Sequence, residues 1–353
     1  MGWSFTLDEG RGGERATAYA SAEGGGGYGV DASIIHFDPA HADHIKVPDA
    51  ELLFRGEYQR LGPDLVVTGP DGRHHIIPGY FSSEKHPALV APNGASLSAN
   101  VVDLLAGSAA PGQYAQAQPT APPDSIGKVE KIVGDVTVVR NGVSVALHVG
   151  DAVFKSDVIA TGGDSSAGIS FPDGTVLDLV ANSRMALNEY SFEPNGANNG
   201  AVFTLVEGTF GFVAGQVAHD NHMSVVTPVA TMGIRGTAGI VRHEFRANAG
   251  DLMYSFLVLD EIDIRRHGHH VGSYEVRDNR PDSPTFGEIL RYIADSGYVT
   301  YVEPQGSGLP PVVTTEPITN SRLFTDRPIL QDLVDSYGQF NGPGGIHSPG
   351  SAS

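Results

Sequence analysis

Val136-Thr137-Val138-Val139-Arg140, Asn141-Gly142, Val143-Ser144-Val145-Ala146 decides the fold class. Two β-branched runs meet at Asn-Gly, the dipeptide whose residues most readily take the positive φ angles of a two-residue hairpin turn. Outward from it, from Ile126 to about Phe245, short alternating runs are cut by turn signals every 8–12 residues or so. Val129-Glu130-Lys131-Ile132 runs into Gly134-Asp135 on one side, and Val143 to Val149 runs into Gly150-Asp151 on the other. Further strands are expected at Ala167–Phe171, Thr175–Val180, Arg184–Glu189, Ala201–Glu207, Thr209–Ala214 and Met223–Thr227, with Leu252–Leu259 beyond. Helix signals are few in this stretch, so the main body (126–246) reads as β-rich, a run of short alternating strands.

The flanks differ in character. Residues 1–50 are Gly-, Asp- and His-rich with little period and read as disordered. In 51–106, Asp64–Thr68, the turn Gly69-Pro70-Asp71-Gly72 and Arg73–Ile77 form a hairpin. Ser98 there is placed to cap a short helix that stops at Gly107. Residues 107–125 are a Pro/Ala linker. In 247–304 a strand is followed by a helix signalled by Ser283-Pro284-Thr285 with Glu288. Residues 305–353 read as a Pro/Gly/Thr linker to Pro317, then an amphipathic helix with Pro328 in its first turn and Ile329, Leu330, Leu333, Val334 and Tyr337 on one face, then a flexible tail.

The 353 residues include 45 Gly, 23 Pro and no Cys, and carry a formal net charge of -19. The absence of cysteine excludes disulfides, thiolate metal sites and cysteine nucleophiles. No segment has the basic face that nucleic-acid binding requires, and no window approaches the roughly 18 apolar residues of a membrane span. Met1–Gly13 lacks the basic and apolar segments of a classical signal peptide.

Within 126–242 stand, in order, Gly134-Asp135-Val136, Gly150-Asp151, Asp157-Val158-Ile159-Ala160-Thr161, Ser166-Ala167-Gly168-Ile169, Phe171-Pro172-Asp173-Gly174-Thr175, Leu205-Val206-Glu207-Gly208 and Thr227-Pro228-Val229-Ala230-Thr231-Met232-Gly233-Ile234-Arg235-Gly236-Thr237. In that order they resemble the FecR domain, a periplasmic β-rich module of iron-transport signalling proteins that also occurs in large bacterial surface proteins. The resemblance implies an all-β fold of stacked short strands, solenoid- or prism-like, without catalytic residues. The flanks resemble the amino-terminal region of large type I secreted adhesins.

Two functions follow as expectations. One is a noncatalytic module of the cell surface or extracellular space, serving adhesion or envelope assembly, with a protein partner such as a surface or matrix receptor. The alternative is a periplasmic sensor or regulator linked to iron-uptake signalling. No cofactor is expected.

Asp173, Gly174, Thr227, Pro228, Gly233, Arg235, Gly236 and Thr237 are the family-motif positions that stand out as possible interaction residues. Arg235 lies between glycines, where a guanidinium and backbone N–H groups can converge on one ligand, or where it can pair with an acid to close the domain. Asp173 and Asp178 could lend oxygens to calcium, although six to eight are needed and turn chemistry explains Asp173 as well. The groups His36/His41/His44, His74/His75/His86 and His267/His269/His270 have imidazoles at ligand spacing but lie in polar loops. No nucleophile elbow, phosphate loop, dinucleotide fingerprint or His-Glu-x-x-His is present.

Overall fold

In the computed structural model, Asn141 and Gly142 take φ of 52° and 77° and close the hairpin that their sequence specifies. The structure describes residues 2–8, 15–21, 28–38, 42–82, 85–107, 125–194, 196–219, 222–236, 238–246, 251–259, 272–295 and 297–341. The chain divides into two units, one of residues 1–92 and 96–117, the other of 93–95 and 118–353.

The first unit contains strands β1 (Gly2–Asp8), β2 (Arg15–Ser21), β3 (Tyr28–Ile34), β4 (His44–Lys46), β5 (Glu57–Leu61), β6 (Asp64–Thr68), β7 (His74–Ile77), β8 (Ala88–Val90) and β9 (Ser96–Leu97), with helices α1 (Ala50–Arg55) and α2 (Ala99–Ala106). β6 and β7 pair as the hairpin expected, Leu65 opposite Ile77. α2 follows Ser98, although no side-chain bond forms at that cap, and it stops at Gly107 with φ 72°. The segment read as disordered instead supplies four strands, three of them in the order β1-β2-β3-β7 and the fourth, β4, beside β8. The low apolar content that suggested disorder is offset by backbone pairing, with β3 lying parallel to β7 from Ala32–His74 to Ile34–Ile76.

The second unit holds the body. Its strands are β10 (Ser125–Val133), β11 (Val136–Arg140), β12 (Val143–Ala146), β13 (Ala152–Phe154), β14 (Val158–Thr161), β15 (Ser166–Ser170), β16 (Val176–Leu179), β17 (Arg184–Ser191), β18 (Gly200–Glu207), β19 (Thr209–Val213), β20 (Met223–Val226), β21 (Thr231–Arg235), β22 (Ala238–Arg246), β23 (Asp251–Leu259), β24 (Ser273–Arg277), β25 (Ile289–Ile293), β26 (Tyr298–Glu303) and β27 (Val312–Pro317). The helices are the single turn α3 (Gln216–His219) and the long α4 (Asn320–Asn341).

Two nine-stranded sheets result. The front sheet runs β13-β10-β15-β16-β19-β22-β23-β26-β27 and the back sheet β12-β11-β14-β17-β18-β20-β21-β24-β25. From β15 onward the chain deposits strands on one sheet and then crosses to the other, so each hairpin caps the core left by the one before. Pairing is antiparallel apart from β18 and β20. Phe171, Phe203, Phe210, Phe212, Phe256, Tyr254 and Tyr274 are fully buried. Two of them bridge the sheets by hydrogen bonds that satisfy their buried hydroxyls. Tyr254 donates to the Val206 carbonyl at 2.8 Å, and Tyr274 to Thr300 Oγ1 at 2.7 Å.

The carboxy-terminal part departs from the sequence reading in three places. Ile289–Ile293 is an edge strand paired with β24, not the second half of a helix. The hydroxyls expected to cap that helix are taken by Asp278, whose carboxylate accepts from Ser283 and, at 2.7 Å, from Thr285 Oγ1. Val312–Pro317, read as linker, pairs along the whole of β26. Pro328 lies inside α4, because the helix starts earlier: Thr319 Oγ1 accepts from the Arg322 N–H at 3.2 Å and acts as its cap. Ile329, Leu330, Leu333 and Val334 do face the front sheet, packing on Val213, Ala238, Ile240, Leu257 and Val299. The side chain of Tyr337 lies outside the described residues.

Candidate functional site

The family-motif positions fall into a buried structural group and an exposed margin. Asp173, 2% exposed, stands in the turn between β15 and β16. Its Oδ1 accepts from the Thr175 N–H (3.0 Å) and the Tyr190 hydroxyl (3.0 Å). Its Oδ2 accepts from Thr175 Oγ1 (2.8 Å) and the Val217 N–H (3.2 Å). Gly215 gives the close approach this needs, since a Cβ there would lie 2.5 Å from the Asp173 carbonyl oxygen. Gly174 takes φ 90°. Burial and the Asp173 charge push the Tyr190 phenol upward. With both oxygens committed to four donors, Asp173 ties turn, β17 and α3 together and has no lone pairs left for a cation.

Asp157 plays a similar part. Arg140 grips it through two bonds of 2.7 Å, and the Phe154 N–H adds a third at 2.9 Å. Thr227 and Pro228 are also buried and turn β20 into β21. There the Thr227 hydroxyl donates to the Ala230 carbonyl (2.9 Å), and Asn279 Nδ2 donates to the Thr227 carbonyl (2.8 Å).

The far end of β21 is different. Arg235 donates to Glu275 Oε2 at 3.2 Å and lies 5.7 Å from the centre of the Tyr292 ring, with 41% of its side chain exposed. Arg277 donates to the other Glu275 oxygen at 2.5 Å. The sheet register puts Gly233 beside Glu275 and Glu275 beside Tyr292, so these side chains share the outer face. A Cβ at Gly233 would meet Glu275 Cγ at 3.2 Å, so the glycine leaves room for the carboxylate between the two arginines. Gly236 takes φ 58° where the strand ends. Thr237 lies outside the described residues.

Ile289 and Tyr292 on β25 are half exposed, and Phe286 in the preceding loop is 60% exposed. That loop is held firmly. Arg280, fully buried, donates to Asp278 at 3.2 Å, to Ser283 Oγ at 3.1 Å and to the Leu309 carbonyl at 2.5 Å. Burial alone would raise the Asp278 carboxyl, but bonds from Arg280, Ser283 and Thr285 outweigh it and hold the group below its ordinary range. Phe286, Ile289 and Tyr292 were absent from the sequence-derived set because their segment was read as a helix, and Arg277 because only the pairing of β24 with β21 and β25 brings it to this margin.

The other candidates do not converge. His75 bonds Ser33 Oγ (2.7 Å), His74 bonds Thr68 Oγ1 (3.0 Å) and His86 bonds Asp103 (2.8 Å). His41, His267, His269 and His270 lie outside the described residues. Among the described residues no three His, Cys, Asp or Glu are grouped for a metal, and no helix is long and apolar enough to cross a membrane.

The alternation of hairpins, the Asp173 turn and the closing β20–β21 motif all fall in one stretch of chain. Residues 157–251 match the family model described as FecR protein. The FecR match begins inside the segment read from the sequence, at Asp157 of the Arg140 pair, and runs past 242 into the start of β23. Two crystal structures of a "putative anti-sigma factor" from Parabacteroides distasonis, at 1.65 and 2.50 Å, also align. They share 17% and 16% identity, cover 52% of this chain and 76% and 75% of theirs, and superpose with a TM-score of 0.31 each. A comparison with curated proteins finds no match.

Proposed function

We propose that this FecR-domain chain is a noncatalytic module of the bacterial envelope. In this reading it acts in the periplasm as a sensor or regulator of iron-uptake signalling and docks a protein partner on the Arg235–Arg277–Tyr292–Ile289 margin. The FecR match over 157–251 supports the regulatory class. The observation that carries the docking site is the margin itself: arginine, tyrosine and phenylalanine side chains, rigidly supported yet exposed, in a chain of net charge -19. Aromatic residues and arginine dominate the binding energy of protein interfaces, because they bury a large area at small entropic cost while keeping a polar handle. β25 is also an edge strand of its sheet, so its backbone can take up a partner's strand.

Gene deletion followed by complementation tests this reading. Deletion is expected to alter iron-dependent expression of an uptake operon. Wild type should restore it, and the double variant Arg235→Glu/Tyr292→Ala, folded to the same melting temperature, should not. Full restoration by the double variant would remove the margin from the account. An unaltered iron response with loss of cell attachment would replace regulation by the adhesion role that the flanking sequences suggest.

A further inference from the structure

One cross-strand row on the outer face of the front sheet runs Lys131, Gly168, Asp178, Gly211, Ile240, Leu257 and Val299. Its apolar half is what α4 packs on. Its other half is unusual, because an aspartate stands between two glycines in mid-sheet. The glycines form a trough that α4 fills. A Cβ on Gly211 would lie 2.5 Å from Leu333 Cδ1 and 2.8 Å from Ile329 Cγ2, and one on Gly168 would lie 2.8 Å from Asp178 Oδ1.

Asp178 is thereby roofed by the helix and 4% exposed. Ser336 donates to its Oδ1 at 3.3 Å, and its Oδ2 has no hydrogen-bond partner. The charges facing it are Lys131 from β10 and Asp332 from α4, which pair with each other at 2.8 Å. β15 and β19 present only the two glycines in this row.

A buried carboxylate with one long hydrogen bond and one bare oxygen is tolerated when neutral and costly when ionised. We propose that α4 is a pH-controlled latch on the front sheet, closed while Asp178 is uncharged and loosened when it ionises, which bares the apolar face formed by Val213, Ala238, Ile240, Leu257 and Val299. Burial is the leading cause that raises the Asp178 carboxyl to about 7 in the closed form; Asp332 adds to it, while Ser336 and Lys131 oppose it. With the helix away, the group faces water and returns toward its ordinary 3.8.

The sign follows from linkage. The closed form holds a proton that the open form releases, so closure is strongest below about pH 4. It weakens about tenfold per pH unit up to about 7 and levels off above that. The latch needs no partner and is independent of the docking role proposed for the β25 margin.

Hydrogen exchange on the full chain between pH 5 and 7, corrected for the intrinsic rate of each amide, tests it. In wild type the opening constant of Ile329–Ser336 should rise about fiftyfold over that range, since its upper end is the closed-form midpoint. Amides of Met185–Leu187 and Phe203–Leu205 should keep their protection. Asp178→Asn should abolish the rise and leave α4 closed throughout. Should that variant fail to fold, Ser336→Ala serves instead, with the series carried on to pH 9: losing the bond that favours the ionised form should carry the rise past the pH near 7 where wild type levels off. A flat wild-type profile, an Asp178→Asn profile with the wild-type rise, an unchanged Ser336→Ala profile, or core amides opening in step with α4 would each overturn the proposal.

Discussion

The turn at Asp173 and the trough at Asp178 lie in consecutive parts of one hairpin and bury their carboxylates almost equally, at 2% and 4% exposure, yet they solve opposite problems. Asp173 receives four donors from three separate elements, so its charge is compensated where it stands and the turn is fixed. Asp178 receives one bond, and its second oxygen is buried with no hydrogen-bond partner. Burial therefore does not by itself define a structural carboxylate; the donors around it do. Where donors saturate the group, the charge holds elements together, and where they are scarce, the proton becomes part of what keeps the cover in place.

This contrast can be broken most severely at Asp173. Asp173→Ala would strand the Thr175 and Val217 N–H groups and the Tyr190 hydroxyl in a dry interior, and a loss of about 3–5 kcal/mol in chemical denaturation is expected. Gly211→Val attacks the trough instead. Its branched side chain would enter the space of Leu333 and Ile329, and a loss of about 1–3 kcal/mol is expected, confined to α4 protection while the core melts as wild type. Tyr190→Phe removes one of the four donors to Asp173 and should cost about 1–2 kcal/mol. Arg235→Ala lies at the small end, because its ion pair is two-fifths exposed; stability should stay within about 0.5 kcal/mol of wild type. A larger loss there would mean that the arginine closes the fold and is not displayed for a partner.

Much of the body was legible from local signals. Asn141-Gly142 and Pro172-Asp173-Gly174 are turns because few other residues accept those backbone angles, and the strands between them alternate or run apolar as half- or fully buried strands must. What failed was context. Ser283-Pro284-Thr285 carries a sound helix-start pattern, but a local carboxylate at Asp278 captured its hydroxyls and the chain went into sheet. The first three strands have so little apolar period that only pairing with a partner strand reveals them. The candidate site was half visible: Arg235 stood out between its glycines, while Arg277 and Tyr292 become its neighbours only through cross-strand register, which a linear reading of the β24–β25 segment does not supply. Asp178 was noted as a calcium oxygen beside Asp173. In the sheet it lies between glycines and beneath α4, a relation between segments 158 residues apart at the Ser336 contact.

The most direct test of the contrast is a carboxyl-carbon NMR titration of the full chain, with the Asp178 resonance assigned by its disappearance in Asp178→Asn. The account predicts a midpoint for Asp178 of about 7. A midpoint near the ordinary 3.8 would mean that water or an unforeseen donor reaches the carboxylate beneath α4, and would contradict it.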